Sequence, residues 1–248
     1  MEYPGGRPFY GDAVGILMLD MQAPLIPGNV GNANSYNFPV RFKVLEGVPS
    51  DWWADEIGPD DSRCEIFIKA AKELEAEGCK AITSGCGFFA IYQERTAAAL
   101  RIPVFASPLL MVPMLSRMLG PGNIIGIISA GGSHLSSGDY LKTVGIDPKE
   151  TPFVVGGLEH SPEFYDVHVT QNKKTINPER MQQEVVDVAQ QLLHEHPDIG
   201  LFVFECSDLP PYAQAVARAT NLPVFDFIGL AHMMYRAIAP VRYPDFIG

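Results

Sequence analysis

The chain has 248 residues, 47% of them hydrophobic, enough to bury one large α/β domain or two small ones. Its 29 acidic side chains outnumber 18 basic ones, giving a formal charge of -11, and no run of Lys or Arg offsets it. Nucleic acid and anionic membrane surfaces are therefore excluded as expected partners.

The N-terminus, "MEYPGGRPFYGDAVGILMLD", opens with an acid and places Pro and Gly before any apolar run, so it lacks the build of a signal peptide. No apolar run approaches the roughly 20 residues that span a bilayer. The expected location is the cytoplasm. The first predicted strand, "AVGILMLD" at 13–20, ends on Asp20. Residues 24–39 follow with no helical pattern, a length that favours a binding loop or lid. They bring Asn29, Asn32, Asn34, Ser35, Tyr36 and Asn37, which can hydrogen-bond a carboxylate or simply form turns. Arg41 suits a carboxylate partner or a surface position equally.

A helix is predicted over 61–78, with Ile66, Ala70 and Leu74 on one face and Gly78 as its stop. It leads into the strand "CKAITSG" at 79–85 and then to Cys86. A helical stretch and the strand "IPVFAS" at 102–107 come next, and "MLGPGN" at 118–123 breaks the chain. The strand "NIIGIISA" at 123–130 opens into "SAGGSH" at 129–134, where Ser129, Gly131, Gly132 and Ser133 can offer N–H and hydroxyl groups to an anion. A full GxGxxG is missing, so no dinucleotide fold is indicated. "PFVVGG" at 152–157, a helix at 178–195 burying Val185, Val188, Ala189 and Leu192, "GLFVFECS" at 200–207 and "LPVFDF" at 222–227 complete the pattern. Short Val- and Ile-rich runs between amphipathic helices describe buried parallel strands in βαβ order, and the fold class is α/β.

The two halves repeat one another. Pro103 lies 17 residues after Cys86, and Pro223 lies 17 residues after Cys206. Upstream, Gly15 in "VGILMLD" matches Gly126 in "IGIISA", 71 and 80 residues before the respective cysteines. This predicts two equivalent α/β units, 1–119 and 120–227, with 228–248 able to cross back to the first.

The four cysteines are too few for a disulfide scaffold, and without CxxC or a nearby His they show no local metal spacing, so neither a disulfide nor a metal is expected. Cys64 and Cys79 have no counterpart in the other half and are expected to be packing residues. Cys86 and Cys206 fall at strand carboxyl ends, where ligands bind in open parallel sheets. Facing units would bring the two thiols to one ligand from opposite sides, the arrangement that taking a proton from one face of a carbon and returning it to the other requires. Glu205, on the same strand as Cys206, must be paired or protonated if that strand is buried, and a structural ion pair is the expected form. Among the histidines, His134 is placed to reach the cleft and the rest are expected to pack or face solvent.

With "SGCGFF" and "ECSDLPPY" at matching places, the chain resembles the cofactor-independent aspartate/glutamate/hydantoin racemase superfamily. The resemblance implies two Rossmann-like units around a shared cleft, no cofactor, a small carboxylate substrate and a homodimer. It assigns Cys86 and Cys206 as acid and base. Asp20 and Asp208 become the groups that orient or protonate the thiols, with Ser207 in the place of the usual Thr. Gly87 and Phe88 stand where an amino acid racemase carries Asn and Thr, which points to a more apolar ligand or to Thr83 and Ser84 as replacement donors. The implied function is a racemase or epimerase acting at the carbon α to a carboxyl or carbonyl group. The superfamily also holds decarboxylases, maleate isomerases and lyases that cleave dimethylsulfoniopropionate, and residues 19–49 resemble the lyase branch as well. A non-catalytic two-lobed binder of small molecules is the alternative from another class.

Overall fold

Among the residues described by the computed structural model, 5–54, 61–137 and 140–241, eight strands form two parallel sheets of the same topology. The first sheet contains β1 (Val14–Leu19), β2 (Val40–Leu45), β3 (Ala81–Ser84) and β4 (Val104–Phe105) in the order β2-β1-β3-β4. The second contains β5 (Ile124–Ser129), β6 (Phe153–Gly157), β7 (Ile199–Phe204) and β8 (Val224–Phe225) in the order β6-β5-β7-β8. The duplication expected from the cysteine and proline spacing is thus an α/β fold of two similar halves.

β2 was not anticipated. It is an edge strand whose "VRFKVL" alternates apolar and charged side chains, with Val44 50% exposed, so it lacks the continuous apolar run that marks the central strands. Its counterpart β6 occupies the matching edge beside β5.

Helices connect the strands: α1 (Asp61–Glu77), α2 (Gln93–Ala99), α3 (Val112–Ser116), α4 (Gly132–Ser137), α5 (Pro162–Phe164), α6 (Pro178–Glu195), α7 (Ala213–Thr220) and α8 (Phe227–Ile238). α6 starts where Asn177 accepts a hydrogen bond from the Arg180 N–H and Pro178 fills the first turn; it buries Met181, Val185, Ala189 and Leu192. α1 buries Cys64, Phe67, Ala71 and Leu74, while Ile66 is 40% exposed, a rotation from the expected face. The Phe67 ring packs at 4.6 Å from that of Phe89, and the aromatic contact sets the helix's register against the core. α8 crosses back to pack on β3 and the 3-10 turn Pro108–Met111. Residues 242–248 of the crossing segment lie outside the described residues. No described helix is long and apolar enough to cross a membrane.

The matched glycines have a shared structural cause. Gly15 pairs with Ile82 across β1 and β3, and Gly126 pairs with Phe202 across β5 and β7. A Cβ on Gly126 would lie 2.7 Å from two atoms of the Phe202 ring, and one on Gly15 would lie 2.9 Å from the tips of Ile82 and Leu74. Each central strand therefore leaves a hollow that its neighbour's side chain fills. Gly126→Ala should cost ~1–3 kcal/mol by overpacking against a rigid ring, and Gly15→Ala less, because aliphatic tips can rotate away. Urea unfolding midpoints with unchanged slope measure the difference.

Candidate active site

The strands that bear the thiols, β3 and β7, lie inside their sheets and end side by side at one cavity. After β3 the chain passes Gly85 and Cys86 into the 3-10 turn Gly87–Tyr92 and then α2. After β7 it passes Glu205 and Cys206 into the turn Pro210–Tyr212 and then α7. Tyr92 and Tyr212, each six residues beyond its cysteine, are buried at the N-caps of α2 and α7. The repeat seen in sequence thus extends to the backbone route by which each thiol is delivered.

Cys86 and Cys206, 6% and 8% exposed, are free thiols that line a closely packed cavity of about 20 Å³. Its wall is completed by Met21, Trp53, Phe88, Phe164 and His168 on the apolar side and by Glu205, Ser207 and Asp208 on the polar side. Among the described residues lining it there is no Lys or Arg. Burial pushes both thiols up, because a buried thiolate loses its hydration; the charges of Glu205 and Asp208 raise them further. The backbone N–H of Phe88 and the side chain of Trp52 oppose this weakly at Cys86.

The two thiols have unlike neighbours. Cys206 Sγ lies 3.6 Å from Asp208 Oδ2. The other oxygen, Oδ1, accepts a hydrogen bond from Asn29 Nδ2 and lies 3.5 Å from His168 Nδ1. Phe88 holds the position in the first half that Asp208 holds in the second, and Gly85 and Gly87 stand where the second half carries Glu205 and Ser207. Gly87 is obligatory for the packing: a Cβ there would sit 2.1 Å from both the carbonyl oxygen and Oε1 of Glu205.

Hydrogen bonds between the halves close the cavity. Ser207 Oγ donates to Gly85 O, the Val30 N–H to Ser207 O, and Ser50 Oγ to Val169 O. His168 belongs to a π-helical turn, Tyr165–Val169, a local distortion frequent at functional sites. Gln171, just beyond it, has a φ of 54°, and its side chain donates to Ser50 and accepts from the Gln22 N–H.

Of the residues expected at the site, Cys86, Gly87, Phe88, Cys206, Ser207 and Asp208 meet on the cavity wall. Thr83, Ser84 and Ser129 lie beneath it with their hydroxyls committed: Thr83 donates to Phe105 O, Ser84 to Cys86 O and Ala106 O, and Ser129 to Glu205 Oε2. Four others sit off the cavity. The exposed Asp20 caps the Gly47 N–H, Asn34 is exposed, the Tyr36 hydroxyl donates to Val30 O, and Ser133 bonds Glu159. A carboxylate that ends a strand points to solvent as readily as inward, and the loop's turn geometry consumes its polar groups. The loop's contribution is instead Asn29, which is 2% exposed and braces Asp208. Arg41 pairs with Asp12 and Glu77 on the surface, and His134 packs edge-on to Trp53. Cys64 and Cys79 are buried packing residues; burial raises Cys79 to about 11.

Trp53, Met21, Phe164 and His168 had no sequence signal of their own. The "DWW" at 51–53, a pair of tryptophans beside acids, was the available clue. Glu205 was expected in an ion pair, yet no Lys or Arg contact forms to it among the described residues; its partner is Ser129. A larger surface cleft of about 440 Å³ between β6 and α6 is lined by His160, Glu184, Asp187 and Glu195 and contains no thiol. No group of three or more His, Cys, Asp or Glu side chains suited to a metal ion occurs among the described residues.

The fold is shared with enzymes of known structure at low sequence identity. Unliganded arylmalonate decarboxylase aligns over 96% of both chains with a TM-score of 0.59 and 12% identity. Glutamate racemase from Francisella tularensis, in complex with D-glutamate, aligns over 92% of this chain and 80% of its own, with a TM-score of 0.56 and 18% identity. No family model matches the sequence. Sequence relatives are nearer. The chain is 31% identical over 233 residues to dimethylsulfoniopropionate lyase 7 of Emiliania huxleyi, covering 92% of this chain but 65% of that protein, so it spans less than two thirds of that relative's length. Against the dimethylsulfoniopropionate lyase of Durusdinium sp. clade D it is 31% identical over 228 residues, covering 90% of this chain and 74% of the relative. The chain belongs to the family of these lyases, on the two-half fold of the aspartate and glutamate racemases.

Proposed function

We propose that the chain is a lyase that removes the proton α to a carboxylate and expels a sulfonium group from the β carbon, with dimethylsulfoniopropionate as substrate. The observation that carries this reading is the inequality of the two thiols. A racemase must run in both directions and needs an acid and a base of comparable strength on opposite faces. Elimination needs one base, and Cys206 alone has a carboxylate beside its sulfur, at 3.6 Å. The cavity wall supports the same choice. Glutamate brings two carboxylates and would call for cationic side chains, whereas a wall with Trp53, Phe88, Phe164 and Asp208 and no Lys or Arg suits a small onium cation.

In this mechanism Asp208 accepts the thiol proton of Cys206, and His168 and Asn29 hold the carboxylate in line. The thiolate takes the Cα proton. The released C–H electron pair forms the Cα=Cβ double bond, the Cβ–S pair stays on sulfur, and dimethyl sulfide leaves with acrylate behind. The abstracted proton departs from Cys206 through Asp208. The incoming sulfonium opposes the burial cost, because a positive charge within about 4–6 Å favours the thiolate. Substrate binding thereby activates its own base. Cys86, on the facing half, closes the cavity against Cα, and the backbone N–H groups of its turn stabilise the charge that develops on the carboxylate.

The presence of a second thiol on the same cavity favours one further reading, racemisation of a small carboxylate or hydantoin. The purified chain with dimethylsulfoniopropionate should release dimethyl sulfide and acrylate in equal amounts. Cys206→Ser should lower kcat at least ~10³-fold and Asp208→Asn ~10²-fold, the range expected for lost proton transfer. Deuterium entering the α carbon of an amino acid or hydantoin from heavy water, with no sulfide released, would replace this reading by the racemase. Burial raises the thiols, so the base is formed by deprotonation, and kcat, which reports the bound complex, should rise rather than fall as pH increases.

A further inference from the structure

We propose that Glu205 receives the substrate's carboxylate, donating a hydrogen bond from Oε1 to one of its oxygens. The inference rests on the lyase reading for the identity of that carboxylate. Glu205 is wholly buried on the cavity wall, where a conventional carboxylate-binding site would place Arg. Its Oε2 accepts from Ser129 Oγ at 2.9 Å, while Oε1 is buried with no hydrogen-bond partner. Oε1 lies over the Cα of Gly87, the residue between Cys86 and Phe88, where no side chain can intervene. A buried oxygen without a partner is costly unless something binds it, and this one is directed at the space between the two thiols' turns.

The environment keeps the group able to donate. Burial raises Glu205 to about 8, with the charge of Asp208 adding to the shift and the Ser129 hydrogen bond opposing it. The groups that face it from neighbouring elements are Ser129 at the end of β5, Cys86 across the cavity, Cys206 and Asp208 on its own turn, His168 on the π-helical turn, and Tyr140. Tyr140 is itself raised to about 12 by burial and by the charges of Cys86 and Glu205. At neutral pH Glu205 is therefore an acid that donates, and a carboxylic acid facing a carboxylate makes a charge-assisted bond. Above about pH 8 it becomes an anion that repels the same ligand. This arrangement selects a monocarboxylate and disfavours a second negative charge elsewhere in the cavity.

Acrylate, the expected three-carbon product, is the probe, titrated by NMR into the full chain at about pH 7 and about pH 9, alongside Glu205→Gln and Glu205→Leu. Wild type should lose at least ~10-fold in acrylate affinity between the two, the Gln variant should bind with little pH dependence, and the Leu variant should bind weakly at both. KM should follow the same pattern, more than kcat. Equal pH dependence in wild type and Gln, or undiminished binding in Leu, overturns the proposal. Because acrylate binding is read without turnover, a chain that binds acrylate in this pattern yet releases no dimethyl sulfide upholds the Glu205 site and removes the lyase assignment.

Thermal unfolding controls for folding and reads the protonation state independently. A carboxyl raised from 4.5 to about 8 in the folded protein contributes its full stability below 4.5 and loses it as pH rises through about 8. The Gln variant should match wild type near pH 5 and melt higher than wild type above about pH 8. A Gln variant with the wild-type dependence would show that Glu205 is not the titrating group and would overturn the proposal.

Discussion

Keeping acidic groups in a buried cavity with no Lys or Arg among its described lining residues is the constraint on which the site depends. Two thiols, Glu205 and Asp208 share one wall, and no Lys or Arg among the described lining residues compensates them. The free energy of placing a bare anion in such a medium is large, so the thiols and Glu205 are held in their protonated forms. Around Asp208 the fold arranges polar partners: Asn29 donates to it, His168 stands at 3.5 Å, and the Cys206 thiol points at it. In the proposed mechanism, a ligand that carries a positive charge changes the protonation balance by entering, so reactivity is coupled to the ligand through electrostatics.

Duplication delivered the geometry, and divergence at three positions broke its symmetry. Strand, bend, 3-10 turn and helix follow both cysteines, and a buried tyrosine ends both turns. Around that common route, Gly85, Gly87 and Phe88 in the first half face Glu205, Ser207 and Asp208 in the second. The substitutions depend on one another. Glu205 can occupy its position because Gly87 has no Cβ, and Ser207 closes the seam by bonding the Gly85 carbonyl. One half thus presents a small, apolar surface beside its thiol, and the other presents its thiol beside two carboxyls.

What the sequence made legible was whatever repeats or is continuous. The central strands are unbroken Val and Ile runs because both their faces are covered, and Gly15 and Gly126 are spaced alike because Ile82 and Phe202 fill the same hollow in the two sheets. Cys86 and Cys206 stood out for the same reason. The edge strand β2 was illegible because half its side chains meet solvent and its pattern is that of a loop as much as a strand. The rest of the wall was hidden by distance: Trp53, Phe164 and His168 are more than thirty residues from the nearer cysteine and are joined to it by tertiary contacts that no local period encodes. Asp20 and Tyr36 failed for the complementary reason, since polar residues near strand ends and in turns bond nearby backbone first, while Ser133 is taken up by the Glu159 carboxylate and Asn34 is exposed.

The misjudgement of Glu205 is the most instructive. A glutamate on a buried strand ordinarily announces a buried cation, because an isolated charge in the core is too costly to keep. The other form open to it in the sequence is a protonated carboxyl. Here the neighbours are chosen so that it takes that form: a serine hydroxyl for one oxygen, no ammonium or guanidinium contact, and an aspartate near enough to disfavour a second charge. The same burial that would unfold a protein around an ionised glutamate leaves a neutral acid with one unspent donor facing a cavity. Natural cores violate the rule that buried polar atoms are satisfied chiefly where a ligand completes the set, and the unpartnered Glu205 Oε1 and the π-helical turn at His168 belong to residues lining the same cavity, with the left-handed Gln171 just beyond that turn. Local strain and local frustration coincide with the thiols, which is where a protein that must bind and react accumulates them.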